Sequence, residues 1–323
     1  MQRRIVIVAF EGVATLDVTG PADVFAEASR QVPGGAYRVV LAGVGGGMLT
    51  TSSGIAIEAR DLARLRPQRS DTVLVAGGAE QVLRAAVARG VLVPWLRDIA
   101  SKVERVASVC SGAFLLAAAG LLEGRCATTH WRACDLLRQT FPGVRVDPNA
   151  IFVEDGNVWT SAGVTTGIDM ALALVERDHP GAVADAVAAE LVLYLRRPGF
   201  QSQFSQALVG QIRHSDPLGP VAAWIRNHLR EADVERLAQA AGLSVRTLHR
   251  RCREQLGLTP AKLIDRLRVE HAQTLLATSS ALVKEIAEES GFGTVARMDR
   301  AFGRELGMPP RTFRLLHGVR DNL

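Results

Sequence analysis

Two stretches near the C-terminus, LAQAAGLSVRTLHRRCREQLGLTP (residues 237–260) and IAEESGFGTVARMDRAFGRELGMPPRTFR (residues 286–314), are one pattern written twice. Leu237-Ala238 ahead of Gly242-Leu243 matches Ile286-Ala287 ahead of Gly291-Phe292 at an offset of 49 residues. Past the turn the offset becomes 50, pairing Leu248 with Met298, Arg250 with Arg300, Cys252 with Phe302, and Pro260 with Pro310. Self-similarity at this spacing marks a duplicated supersecondary unit. Each copy reads as a helix, a tight turn and a helix of about three turns. The glycine permits the positive φ that such a turn needs, and Ser244 is placed to cap the helix after it. Ala238 and Ala287 are small where the paired helices would cross.

In the first copy Leu248, Cys252 and Leu256 fall on one stripe. Arg246, Arg250 and Arg253 therefore project from the opposite face, with His249 at its side. In the second copy Met298 and Phe302 face inward, and Arg300 faces outward, flanked by Arg297 and Arg304. An exposed arginine-bearing helix after such a turn suits the major groove, where the guanidinium grips guanine or phosphate. Most charge runs on helices are simply solvated surface. The same turn occurring twice favours double-stranded DNA.

Working outward, everything from Val221 to Phe313 reads as helices separated by Gly or Pro, an all-α module. Turn formers collect at Gly210–Pro220, so a linker is expected over 205–217, between an N-terminal domain (1–204) and the helical domain (218–323). Charge divides the same way. Residues 1–210 hold 20 Lys/Arg and 20 Asp/Glu, while 211–323 hold 18 and 13, so the net charge of +5 belongs to the last third. A hydrophobic content of 48% with 22% charged residues is that of a globular protein. Cys110, Cys126, Cys134 and Cys252 show neither C-x-x-C pairing nor metal-ligand spacing, so neither a zinc site nor a disulfide framework is indicated, and the reducing cytoplasm fits best. The longest apolar run, Ala113–Leu122, is ten residues, against the ~20 of a membrane span.

The first two hundred residues alternate strand-like runs (Ile5–Phe10, Tyr37–Val44, Thr72–Ala76, Arg105–Val109) with helical patterns (Pro21–Arg30, Ala79–Arg89, Pro94–Val103). That order predicts an α/β fold with an open parallel sheet and helices on both faces. Ser108-Val-Cys110-Ser-Gly112 follows one strand directly and precedes the helical Ala113–Ala119, the setting of a nucleophile elbow. At a helix N-terminus the dipole is expected to lower the thiol pKa and favour thiolate. The plainer reading is a small buried residue.

On these residues the C-terminal repeat, over about 218–316, resembles the paired helix-turn-helix units of AraC/XylS transcription regulators. In that family the long helix between the units, here about Pro260 to Ala277, holds both recognition helices against successive major-groove segments. Cys252 and Met298 stand where family members usually carry core Phe. The N-terminal region resembles the ThiJ/PfpI superfamily, a flavodoxin-like parallel sheet sandwich of the class I glutamine amidotransferase-like kind. The likeness rests on LDVTGPADVF with Asp17, VAGG at Val75–Gly78, VCSGAFLLAAAGLLEGRCATTHW around Cys110 and WTSAGVTTGIDMALALVE around Gly163. The stretch RRPGFQSQF, Arg196 to Phe204, fits the branch in which this fold precedes an AraC-type module.

The resemblance implies that Asp17 sits near Cys110 at a pocket floor, with Gly77 and Gly78 facing the same cavity. The ligand-binding set is then Asp17, Gly77, Gly78, Cys110, Ser111 and His130. Ser111 replaces the His that protease-like relatives carry after the nucleophile, and no His-x-Glu pair follows, so an amidotransferase triad is incomplete. Isonitrile-hydratase-like members combine an Asp, a Cys and a small hydroxyl residue, as Asp17, Cys110 and Ser111 could. His130, in Thr128-Thr-His-Trp131, is a candidate base, but His beside Trp more often packs to start a helix. The preferred expectation is a non-enzymatic regulator, a homodimer by family analogy, that binds a small-molecule effector, needs no cofactor or metal, and acts through RNA polymerase as an activator more often than as a repressor. The alternatives are a Cys110-dependent hydratase or hydrolase fused to a DNA-binding module, and a redox switch at Cys110.

Overall fold

The computed structural model describes residues 2–193, 199, 219–256, 258–306 and 308–317. Two compact units, Met1–Phe200 and Gln201–Leu323, each have their own core. The expected linker at 205–217 lies outside the described residues, as does Arg196–Phe204 apart from Gly199.

The first unit contains strands β1 (Arg3–Val8), β2 (Tyr37–Gly43), β3 (Gly47–Thr50), β4 (Ala56–Asp61), β5 (Thr72–Val75), β6 (Arg105–Val109), β7 (Cys126–Ala127), β8 (Arg145–Val146), β9 (Phe152–Asp155) and β10 (Val158–Ser161). Eight of them form one sheet in the order β3-β4-β2-β1-β5-β6-β10-β9, and β7 pairs with β8 separately. The register aligns Ile5 with Val39 and Thr72, and Val106 with Val73 and Val158, all parallel. β3 and β9 close the two edges antiparallel. The central strands are buried along their length, which is why they read as unbroken apolar runs.

Its helices are α1 (Thr15–Gln31), α2 (Glu80–Ala88), α3 (Leu92–Ile99), α4 (Ala113–Ala118), α5 (Cys134–Thr140), α6 (Thr166–Asp178) and α7 (Gly181–Glu190). α1, α6 and α7 pack together against β1, β2 and β10, while α2, α3 and α4 form the other layer on β5 and β6. The result is the flavodoxin-like sandwich. Two helix boundaries differ from expectation. α1 begins six residues before Pro21, because the Asp17 amide is already bonded to the Ala14 carbonyl (3.2 Å) and the turn continues from there. α3 begins at Leu92 and stops at Ile99, short of Val103, because Lys102 folds back onto the Ile99 carbonyl. β3, β4, β7, β8, β9 and β10 were not anticipated; β3 and β4 expose half or more of their residues, β7 and β8 are two residues each, and β9 and β10 only four.

The second unit is helical: α8 (Gly219–Asn227), α9 (Val234–Ala240), α10 (Val245–Leu256), α11 (Pro260–Thr278), α12 (Val283–Glu289), α13 (Val295–Leu306) and α14 (Pro310–His317). Leu237, Ala238, Leu248 and Cys252 are buried with Val221, Ile225, Leu263 and Leu267. Ile286, Ala287, Met298 and Phe302 are buried in the second copy, where Phe302 meets Phe313 edge-on at 6.0 Å between ring centroids. Both turns are capped alike: Ser244 Oγ accepts from the Thr247 amide (3.2 Å) and Thr294 Oγ1 from the Arg297 amide (3.3 Å).

The repeat extends further than the sequence match. Arg268 on α11 donates to the Ala232 carbonyl (2.9 Å), and Arg314 on α14 donates to the Ala281 carbonyl (2.6 Å). Ala232 and Ala281 are 49 residues apart, the offset of the repeat. In each copy an arginine of a third helix therefore reaches the segment ahead of the first, although the two arginines, 46 residues apart, stand at different positions on their helices. Phe302→Ala should cost about 3–5 kcal/mol through loss of buried surface and the cavity left. Urea denaturation followed by helical circular dichroism will show the loss as a lower midpoint, with Leu248→Ala losing about 2–5 kcal/mol in the other copy.

Candidate functional site

In the first unit, four loops leave the carboxyl ends of neighbouring parallel strands and meet. The strand order reverses between β1 and β5, the position at which open α/β sheets leave a crevice. Asp17 follows β1, Gly77 and Gly78 follow β5, Cys110 follows β6, and Gly163 and Val164 follow β10. The loops after β1 and β5 are joined by the Ala14 amide bonding the Gly77 carbonyl at 2.8 Å.

Asp17 is the centre of this convergence. It is 1% exposed, and its Oδ2 accepts from the Gly77 amide (3.1 Å) while Oδ1 accepts from the Val164 amide (2.9 Å). A third hydrogen bond links it to the Cys110 thiol. Cys110 has a φ of 55° and Val164 one of 54°, a left-handed backbone that non-glycine residues seldom adopt. Such conformations cost about 1–3 kcal/mol and persist where their surroundings over-determine them. Here Thr129 Oγ1 donates to the Cys110 carbonyl (2.8 Å) and Ser111 Oγ both donates to the Gly78 carbonyl (2.7 Å) and accepts its amide (3.0 Å). Gly163, at φ 90°, lies so close that a Cβ there would collide with the Cys110 side chain.

His130 follows Thr129, whose hydroxyl bonds Cys110. Its Nδ1 accepts from the Arg132 amide at the head of the 3-10 turn Trp131–Ala133, and its ring lies 5.6 Å from that of Trp131. That is the arrangement of a helix-starting pair. Gly163, Val164 and Thr129 were the site's unforeseen members. The glycine after a short apolar run ending in Thr-Ser was their one signal in the sequence.

In the second unit, Arg246, Arg250 and Arg253 are exposed on α10 with His249 half-buried beside them, and Arg297, Arg300 and Arg304 are exposed on α13. Arg250 reaches Glu254 at 3.5 Å, and Arg304 is held by Asp265 of α11 at 3.0 Å. No helix among the described residues is long and apolar enough to cross a membrane.

The model of the DJ-1/PfpI family matches residues 3–177, more than half of the 323 residues. The chain belongs to the DJ-1/PfpI family. A helix-turn-helix domain matches residues 237–315, and the second unit is of the AraC type. This DJ-1/PfpI chain is 31% identical over 291 residues to the HTH-type transcriptional regulator GlxA of Rhizobium meliloti, covering 87% of this chain and 86% of that one. It is 30% identical over 243 residues to the HTH-type transcriptional regulator GbdR of Pseudomonas aeruginosa, covering 75% of this chain and 65% of GbdR, so it spans just under two thirds of that relative. A THiJ/PfpI family protein from Pseudomonas syringae shares the fold at a TM-score of 0.55 and 23% identity, over 75% of this chain and 89% of that one.

The DJ-1/PfpI elbow does not activate its thiol in the way the sequence suggests. Burial, and then the negative charge of Asp17, push the Cys110 thiol up to about 12. The expected lowering by a helix dipole fails because a 3-10 turn, Cys110–Gly112, and then the six-residue α4 follow the thiol, while a carboxylate faces it. Burial raises the Asp17 carboxyl, against the opposing pull of its hydrogen bonds. Burial, then Arg132, lowers the His130 pKa and favours the neutral imidazole. Thiolate is the nucleophile, so alkylation of Cys110 by iodoacetamide should be slow at neutral pH and rise about tenfold per pH unit, with no plateau below pH ~10. Asp17→Asn removes the charge that opposes ionisation and should speed alkylation at fixed pH. Mass spectrometry of the Cys110 peptide measures both; a plateau near neutrality would contradict the assignment.

Proposed function

We propose that this chain is a sequence-specific DNA-binding transcription regulator, an activator more than a repressor, governed by a small molecule held at Asp17, Gly77, Gly78, Cys110 and Ser111. The observation that carries this is the duplicated face on α10 and α13, where Arg246, Arg250, Arg253, Arg297, Arg300 and Arg304 stand exposed over buried apolar stripes. Such faces enter successive major-groove segments and read base edges or grip phosphates. The names of GlxA and GbdR support the same reading.

The first unit has the arrangement of a sensor. Its convergent polar groups lie at the strand ends where ligands bind, and a thiol kept protonated suits a hydrogen-bonding floor better than a nucleophile. No turnover is required: the effector need only bind one arrangement of the protein better than another to shift transcription. In this proposal the regulator works in the cytoplasm as a homodimer on repeated half-sites and contacts RNA polymerase.

Gel-shift titration against a duplex selected from a random library tests the reading. Wild-type protein should form a salt-sensitive, sequence-preferring complex. Arg300→Ala or Arg250→Ala should weaken it by about 1–3 kcal/mol if the side chain reads a base edge, relaxing preference at one position. A loss equal on all sequences reassigns that arginine to phosphate, and a wild-type protein indifferent to DNA of any sequence at low salt overturns the proposal.

A further inference from the structure

α11 joins the two helix-turn-helix copies, yet it packs unevenly. It lies extensively against α12, α13 and α14 and only sparsely against α8 and α10. Ion pairs reinforce the same side, Arg304 to Asp265 at 3.0 Å and Arg266 to Glu305 at 3.9 Å, both joining α11 to α13. α11 thus carries the second copy along much of its length, while Leu263, Ile264 and Leu267 share the apolar core of the first copy; that packing is non-directional, so a directional attachment of the first copy has to be polar.

Arg268 supplies one. It is 6% exposed, and its Nε and Nη2 both donate to the Leu229 carbonyl (3.0 and 2.8 Å), with Nη2 also donating to the Ala232 carbonyl (2.9 Å). Both acceptors lie in the connection from α8 to α9 of the first copy. Gly291, in the turn of the second copy, meets the same connection: a Cβ there would collide with the Leu229 carbonyl oxygen and lie 2.9 Å from Arg268 Nε. Gly242, its counterpart in the first copy, also has positive φ (63° against 78°) but has nothing within 4 Å of such a Cβ. The Leu229 carbonyl is therefore a three-way junction of first copy, connecting helix and second copy. Arg314 in the second copy donates instead to Ala281 of its own repeat, from a position that matches Ile264 rather than Arg268 at the offset of 50.

We propose that Arg268 is a positioning residue that fixes the orientation of α10 relative to α13 through Leu229 and Gly291, and so sets the spacing between DNA segments that the protein accepts. The spacing claim rests on the DNA-binding reading above; the orientation claim does not. A fork of donors on two carbonyls resists rotation as a single hydrogen bond cannot, which distinguishes Arg from Lys at this position.

Two measurements on the full-length chain separate these claims. The first is the distance distribution between spin labels at Glu254→Cys on α10 and Ala296→Cys on α13, with Cys110 and Cys126 replaced by serine, without DNA. Wild-type Arg268 should give one narrow distribution, Arg268→Gln a broad one and Arg268→Lys an intermediate one. Gly291→Ala should broaden or shift it, while Gly242→Ala, which carries a similar backbone strain without the collision, should leave it unchanged. An unaltered narrow distribution in a folded Arg268→Gln protein overturns the proposal. If that variant fails to fold, equal behaviour of Gly291→Ala and Gly242→Ala overturns it instead. The second measurement inserts about five base pairs, half a helical turn, between the two recognised segments of the selected duplex. Wild-type affinity should fall about tenfold or more, the scale of losing one well-made base contact, while Arg268→Gln should lose no more than about threefold. Equal losses in both overturn the spacing role, whereas absence of DNA binding by wild type removes the regulator reading and leaves the label distances to judge the clamp.

Discussion

A charge taken out of water must be met by something, and in both halves of this chain backbone groups meet it. Asp17 is satisfied by the amides of Gly77 and Val164, and Arg268 by the carbonyls of Leu229 and Ala232. Because the partners are main-chain atoms, each charge fixes the path of the chain itself. Asp17 draws the loops after β1, β5 and β10 to one point, and Arg268 ties the α8–α9 connection to α11. In each half, a side chain of one sign organises segments that lie far apart in sequence.

The chemistry around Asp17 follows from the same constraint. Asp17 is held by hydrogen bonds that favour its charge and by burial that opposes it, and burial prevails. The Cys110 thiol beside it is penalised by burial and by the carboxylate together, so proton retention at that pair is favoured. A site of this kind donates and accepts hydrogen bonds in fixed directions. The left-handed backbone at Cys110 and Val164 shows how tightly the surrounding bonds determine it, since neither residue type prefers that conformation.

In the second unit, duplication gives two similar reading heads but not two equivalent attachments. The cores, caps and arginine faces repeat closely, with Cys252 and Met298 both fully buried at matching apolar stripes. The connecting helix packs on both copies, more extensively on the second, and a few polar bonds and one glycine contact add direction to its apolar packing on the first. Arg304 is partly committed to that scaffold through Asp265, so its guanidinium serves the relative placement of α11 and α13 as well as the exposed face.

The alternation of β1, β2, β5 and β6 with helices in the first unit, the two helix-turn-helix copies and the outward face of each were legible in the sequence, because periodicity and glycine position are local properties of the chain. Buried parallel strands announce themselves as apolar runs, and a repeat announces itself by matching its own residues. The clustering of Asp17, Gly77 and Cys110 came from a resemblance rather than from any pattern, since nothing local brings those positions together. The short strand β10, the role of Gly163 and Val164, the protonated state of Cys110 and the junction of Arg268 with Gly291 were decided only in three dimensions. Each depends on what residues remote in the chain place beside a buried charge or an unoccupied Cβ position, and burial and proximity are properties of the folded whole.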